Sequence, residues 1–185
     1  MSLWIVRHAR PLIGAGICYG ALDVAADAEA TREAAQKLAK ALPPYAQVYS
    51  STLQRCEQLT QVLCGLRPDL ACKYEPRLVE MNFGEFEGVA WADIGKDALD
   101  AWTNDFAAHR FGGAESVAEF MARVGEVWDA CRPCDATPAA QVWITHAGVA
   151  RAAVLLSRDM RMPTNAAQWP ADAPDFGTWM TLPTP

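Results

Sequence analysis

The sequence predicts an α/β fold of three layers, α/β/α, with a mostly parallel central sheet. Two short apolar runs, "LWIV" at Leu3–Val6 and "VWIT" at Val142–Thr145, have the look of strands covered on both faces. Stretches with helical spacing alternate with them, which is how parallel strands are usually connected. Both runs stop abruptly on charged or titratable side chains: the first on Arg7 and His8, the second on His146. Ligand groups in open α/β sheets gather just past the carboxyl ends of the strands, so these residues stand where a site is expected.

The elements follow in order. After the first strand, Asp27 is a plausible N-cap for "AEATREAAQKLAKAL", a run of strong helix formers that Pro43-Pro44 terminates. "AQVYSS" reads as a short strand. Ser51 or Thr52 is placed to cap the next helix, in which Leu53, Cys56, Leu59, Leu63 and Leu66 recur at helical spacing and Arg55 falls in the first turn. An extended piece around "ACKYEP" leads into "RLVEMNFGEFEGVAW", where Gly84 and Gly88 break any regular period, so a loop is expected. Ser116 and Glu119 have capping-box spacing ahead of a helix with Phe120, Val124, Val127 and Trp128 on one stripe. Gly148 is expected to permit a tight exit from the last apolar strand into a helix. The Pro-rich stretch from Met162 to Pro174 reads as a surface loop before the tail.

With 185 residues, 51% of them hydrophobic, the chain can bury one core, and a single domain over residues 1–185 is expected. The opening apolar run is too short to span a membrane and has no signal-peptide pattern around it. A formal net charge of -6 with no basic run argues against a nucleic-acid partner. The six cysteines, Cys18, Cys56, Cys64, Cys72, Cys131 and Cys134, are expected to be reduced thiols of a cytoplasmic protein. Cys131-Arg-Pro-Cys134 alone is a weak zinc or redox signal, and solvated or half-buried thiols are expected there.

The site chemistry rests on a few side chains. Arg7, His8, Arg55 and His146 together describe an anion pocket, with guanidinium forks and imidazole groups suited to phosphoryl oxygens. A metal held by both histidines and a carboxylate would sit beside two arginines, an electrostatically poor arrangement, so no metal is expected. A carboxylate beside such a pocket could protonate a leaving oxygen, and Glu80, Glu85 and Glu87 are equal candidates on spacing. Trp91, Trp102 and Phe106 are candidate walls of the pocket, while His109, with no strand before it, is an exposed or lining residue.

Four segments, "VRHAR", "SSTLQRC", "LVEMNFGEFEG" and "THAG", in this order, resemble the signature motifs of the histidine phosphatase superfamily, in its phosphoglycerate-mutase-like branch. The resemblance spans roughly residues 3–157. Within the branch, "GICYGALDV", "AWTNDF" and "GGAESVAEFMARV" are most similar to alpha-ribazole phosphatases, which dephosphorylate alpha-ribazole 5'-phosphate in assembly of the cobalamin lower ligand. The resemblance implies a phosphoglycerate-mutase-like fold with a lid-like insertion around residues 81–115. It implies that His8 is the nucleophile, that Arg7, Arg55 and His146 hold the phosphoryl group, and that Glu80 is the proton donor. Gly20, Trp102 and Phe106 would bind a small phosphomonoester, with no cofactor. Neighbouring arginines should keep His8 neutral.

Three features depart from the family pattern. Ala9 stands where a glycine is usual, Ile13-Gly14 where an asparagine or threonine is often found, and "GGAES" carries one extra residue, which leaves the roles of Glu115 and Ser116 open. The rival readings are a broad-specificity histidine phosphatase, a phosphoglycerate mutase, and a catalytically silent phospho-ligand binding module. Oligomeric state is not legible.

Overall fold

The computed structural model describes residues 2–131 and 140–183. Strand β1 (Ser2–Arg7) is followed by helix α1 (Ala28–Ala41), β2 (Gln47–Ser50), α2 (Gln54–Leu66) and β3 (Ala71–Tyr74). After a long irregular stretch come α3 (Lys96–Asn104), the two-residue strands β4 (Arg110–Phe111) and β5 (Glu115–Ser116), α4 (Val117–Ala130), β6 (Gln141–Thr145), α5 (Ala147–Leu156) and β7 (Trp179–Pro183). The main sheet has the order β3-β2-β6-β1-β7, and all its pairings are parallel except that of β7 with β1.

Alternation along β1 sends Leu3 and Ile5 into a core with α4 and α5, built on Trp143, Phe120, Val124 and Leu155. Val6 enters the opposite core, where Leu38 of α1 and Leu59 and Leu63 of α2 cover Val48 and Val142. Both faces of the sheet are therefore covered, as the three-layer expectation required. Each fully buried aliphatic side chain contributes about 1.5–3 kcal/mol. The helix starts follow local chemistry. Asp27 accepts from the amide of Ala30 at 2.8 Å, and Ser116 with Glu119 forms the capping box, each a cap of about 1 kcal/mol.

Three expectations are corrected, and one element is added. Neither Ser51 nor Thr52 caps α2, whose N-cap is Leu53; the first helical amide, on Gln54, instead donates to Asp23 Oδ1 at 2.8 Å. The tail, to which the sequence reading assigned no element, adds the edge strand β7. Its partly buried Met180 and Leu182 pack on the core, and its Pro183 is tolerable because an edge strand need not donate on its outer side. Cys64, near the end of α2, is disulfide-bonded to Cys72 on β3, so these two are not reduced thiols. Cys131 is buried rather than solvated, because it sits in the core beside Val127 and Trp128; Cys134 lies outside the described residues. Cys18, Cys56 and Cys131 are free and buried. Among the described residues no helix is long and apolar enough to cross a membrane.

Candidate active site

The parallel register explains how distant positions meet. Arg7 of β1 lies opposite Thr145 of β6, and Ile144 lies opposite Ser50 of β2. The residues that leave these strands, His8, His146 and Ser51, therefore emerge side by side. The backbone ties them: the His8 amide donates to the Thr145 carbonyl at 3.1 Å and the Ser51 amide to that of Ile144 at 2.9 Å. The two imidazoles lie 5.1 Å apart, centroid to centroid.

His8 is nearly fully buried, and its Nδ1 lies 2.7 Å from the carbonyl oxygen of Ala9. A carbonyl only accepts, so Nδ1 carries the proton and Nε2 keeps its lone pair. Burial first and then the charge of Arg55 lower the pKa of His8 to about 3, against the opposing Ala9 bond, and Arg7 is the smallest contributor. The arginines thus act as expected, but desolvation is the larger cause. Ala9 itself is buried, and its backbone φ is not positive, so the methyl group causes no strain there.

His146 is neutral for related reasons, with burial and then Arg55 holding its pKa well below the ordinary imidazole value. The Nε of Arg55 donates to His146 Nδ1 at 3.2 Å, which puts the ring proton on Nε2, 2.8 Å from Ser51 Oγ. Both ring nitrogens are thus engaged, and a phosphoryl oxygen would contact this ring by displacing one of these partners. Cys56 Sγ also lies 3.5 Å from Nε2, and burial pushes its thiol up to about 12, so it stays protonated.

Arg55 is completely buried at the start of α2. Besides His146 it donates to the carbonyls of Leu22 and Gly20, at 2.8 and 2.6 Å. Gly20 is not a wall of the cavity. It sits under Arg55, and a Cβ there would fall 1.8 Å from the carbonyl oxygen of Met81. The structure also separates the three glutamates. Glu80 lines the cavity and its Oε2 accepts from the amide of Gly148 at 2.9 Å. Glu87 accepts from the amides of Gly20, Ala21, Leu22 and Phe83, joining two loops. Glu85 is exposed.

Glu115 and Ser116, whose roles were open, have defined positions. Ser116 caps α4, while Glu115 forms a two-pronged pair with Arg123 and accepts from the Asn82 amide. Arg123 in turn donates to the carbonyls of Arg77, Val79 and Glu80. The loop that presents Glu80 is therefore held by a partly buried ion pair. Gly148 differs from expectation. Its φ is not positive, and what requires a glycine is the nearby carboxylate, since a Cβ would sit 2.2 Å from Glu80 Oε1.

These groups surround a cavity of about 350 Å³. Arg7, His8, Arg55, Glu80 and His146 form its polar end, and Tyr19, Phe83, Trp91, Trp102, Phe106, Phe120 and Trp169 supply aromatic wall. Trp102 also stacks on Phe111 at 4.4 Å, and Phe106 is largely buried and meets Trp169 edge-on at 6.0 Å. His109 is half-buried and does not line the cavity. The sequence reading missed Ser51 as the partner of His146, and it missed Tyr19, Arg151, Trp169 and Phe176. Phe176 lies under the Arg7 guanidinium at 3.8 Å and against His8 at 5.6 Å. Trp169 and Phe176 come from the segment between α5 and β7, whose prolines suggest only surface loop. Arg151 had a signal: it is three residues after Gly148 on α5, hence on the same helix face.

The profile of the histidine phosphatase superfamily (branch 1) matches residues 3–170. No curated protein sequence matches the chain. Among solved structures, a mycobacterial glucosyl-3-phosphoglycerate phosphatase superposes with a TM-score of 0.76 at 25% identity, over 97% of this chain and 88% of that one. Mycobacterial hydrolase 1 gives 0.77 at 25% identity over 97% and 87%. TTHB049 from Thermus thermophilus gives 0.64 at 29% identity over 82% of both chains. The motif order, the paired histidines at adjacent strand ends and the match over most of the sequence place the chain in the histidine phosphatase superfamily, as a phosphoric monoester hydrolase.

Proposed function

We propose that the protein hydrolyses a small phosphomonoester through a phosphohistidine on His8, and that the substrate is alpha-ribazole 5'-phosphate. In the first step His8 Nε2 forms a bond to phosphorus while the ester P–O bond breaks, and Glu80, as the acid, gives its proton to the departing oxygen. In the second, Glu80 takes a proton from water as the water oxygen attacks phosphorus, the P–N bond breaks and orthophosphate leaves. Arg7 and Arg55 would stabilise the charge on the equatorial oxygens, the main contribution available in phosphoryl transfer. His146 would act by holding Arg55. A resident metal is disfavoured because the guanidinium groups of Arg7, Arg55 and Arg151 already line the cavity.

The observation that carries the reading is the pairing of a neutral His8, its lone pair on Nε2, with Glu80 in a single cavity. The aromatic wall supports a flat apolar leaving group such as a benzimidazole. Residues 81–115 would serve as a lid, since Phe83, Trp91, Trp102 and Phe106 all come from that stretch. The test is phosphate release from a panel of phosphomonoesters that includes alpha-ribazole 5'-phosphate, with isomerisation of 3-phosphoglycerate measured alongside. The highest kcat/KM is expected for alpha-ribazole 5'-phosphate. A flat profile would point to a broad-specificity enzyme, isomerisation to a mutase, and tight binding without turnover to a silent module.

A further inference from the structure

Four arginines outside the cavity are neutralised by carboxylates: Arg67 by Asp69, Arg77 by Glu75, Arg123 by Glu115 and Arg161 by Asp129. Among the described residues no carboxylate lies within ion-pair distance of the three arginines that line it, Arg7, Arg55 and Arg151. Two of these have the work assigned above. Arg151 does not, because it lines the cavity from α5 rather than from the end of β1 or the start of α2.

Its hydrogen bonding is incomplete. Nη2 donates to the carbonyl of Ala171 at 3.1 Å, which fixes the guanidinium against the segment that carries Trp169. Nε is buried without a partner, as are Nε of Arg7 and Nε1 of Trp102, which line the same cavity. A buried charged donor left unsatisfied is costly, and natural structures keep few such groups without a reason. A guanidinium held in place within an aromatic wall is suited to read one acceptor on a flat apolar ligand.

We infer that Arg151 is a specificity-determining residue, donating from the cavity-facing edge of its guanidinium to a hydrogen-bond acceptor on the leaving group: a hydroxyl or carboxylate oxygen or a ring nitrogen. This deepens the phosphomonoesterase reading and rests on it. The preferred substrates are then phosphate esters that combine an apolar ring with an acceptor remote from the phosphate. Esters lacking the acceptor bind the same phosphoryl site and gain nothing from Arg151.

The test compares kcat/KM of the wild type, Arg151→Met and Arg151→Lys on phenyl phosphate, 3-carboxyphenyl phosphate and alpha-ribazole 5'-phosphate. Loss of a charged hydrogen bond to the leaving group predicts a drop of about 10-fold or more for the two acceptor-bearing esters in Arg151→Met. Phenyl phosphate should change less than about twofold, and Arg151→Lys should recover part of the loss. Equal losses on all three esters would overturn the inference, because they would mean that Arg151 only anchors the Ala171 segment; so would no loss on any. If alpha-ribazole 5'-phosphate is not turned over but the Arg151-dependent preference for the carboxyphenyl ester persists, the substrate proposal falls and the inference stands. Should the wild type release no phosphate from any ester, the phosphatase reading fails. Benzoate binding, followed by tryptophan fluorescence, then decides: tighter in the wild type than in Arg151→Met supports the inference, equal overturns it.

Discussion

The carboxylate of Glu80 accepts a hydrogen bond from the amide of Gly148 at 2.9 Å, two residues beyond His146. The loop and the helix start therefore fix each other. A Cβ at position 148 would fall 2.2 Å from Glu80 Oε1, so Gly148→Ala is expected to push the carboxylate aside while leaving the fold intact. Its kcat should fall about 10- to 100-fold, and Glu80→Gln about 10²- to 10⁴-fold, on an alkyl phosphate. With 4-nitrophenyl phosphate, whose leaving group departs without a proton, both losses should be smaller. Steady-state rates on the two ester classes provide the check, and equal losses would contradict a proton-donor role.

Two buried neutral histidines make the fold sensitive to acid. The pKa of His8 is about 3 in the folded protein and near the ordinary value of about 6.5 when the chain is unfolded. Between those pH values the unfolded chain binds a proton that the folded one does not. Stability is therefore fully present above pH 6.5 and falls as pH drops toward 3, by about 1.4 kcal/mol per unit from His8, with His146 acting in the same direction. Urea midpoints between pH 5 and 7 should show this slope, and it should be shallower in His8→Asn. An NMR titration of His8 with an ordinary midpoint would contradict the argument.

Glu87 holds no place at the cavity, yet it is expected to matter. Its carboxylate accepts from four amides on two loops, and one of those loops supplies the Gly20 carbonyl that Arg55 uses. Hydrogen bonds to a charged group contribute about 1.5–3 kcal/mol each at most, and they are not additive. Glu87→Ala should lower unfolding stability by about 2–4 kcal/mol and weaken orthophosphate binding, measurable by denaturation and calorimetry. Unchanged phosphate affinity would separate this clasp from the position of Arg55.

Ser51 offers a subtler test. Its Oγ receives the Nε2 proton of His146, which leaves Nδ1 free to accept from Arg55. Ser51→Ala should relax the tautomer and reduce kcat/KM by about 10-fold, and it should lower stability by about 1–3 kcal/mol because the buried Nε2–H loses its oxygen partner. An unaltered rate would show that Arg55 holds its position without the histidine.

Much of this was legible in the sequence. The strands that deliver His8 and His146 announce themselves as apolar runs, and Asp27 and Ser116 cap helices as their spacing suggests. What escaped depended on contacts between distant segments. Ser51 looks like a cap, but its hydroxyl serves His146, and Asp23 from a remote loop takes the helix start instead. Glu80, Glu85 and Glu87 cannot be ranked by spacing, because only the fold turns one toward Gly148 and another toward Gly20. Trp169 lies in the Pro-rich stretch and Phe176 just after it, on a path set by β7 pairing with β1. The bond between Cys64 and Cys72 likewise follows from β3 returning beside α2.

The most direct measurement is quenching of the enzyme in alkaline detergent during turnover of a ³²P-labelled phosphomonoester. Label that stays on the protein in alkali and is lost in acid, present in wild type and absent in His8→Ala together with activity, is the expected result. Turnover at the wild-type rate in His8→Ala, or no trapped label under conditions where Glu80→Gln slows the second step, would contradict the covalent role of His8.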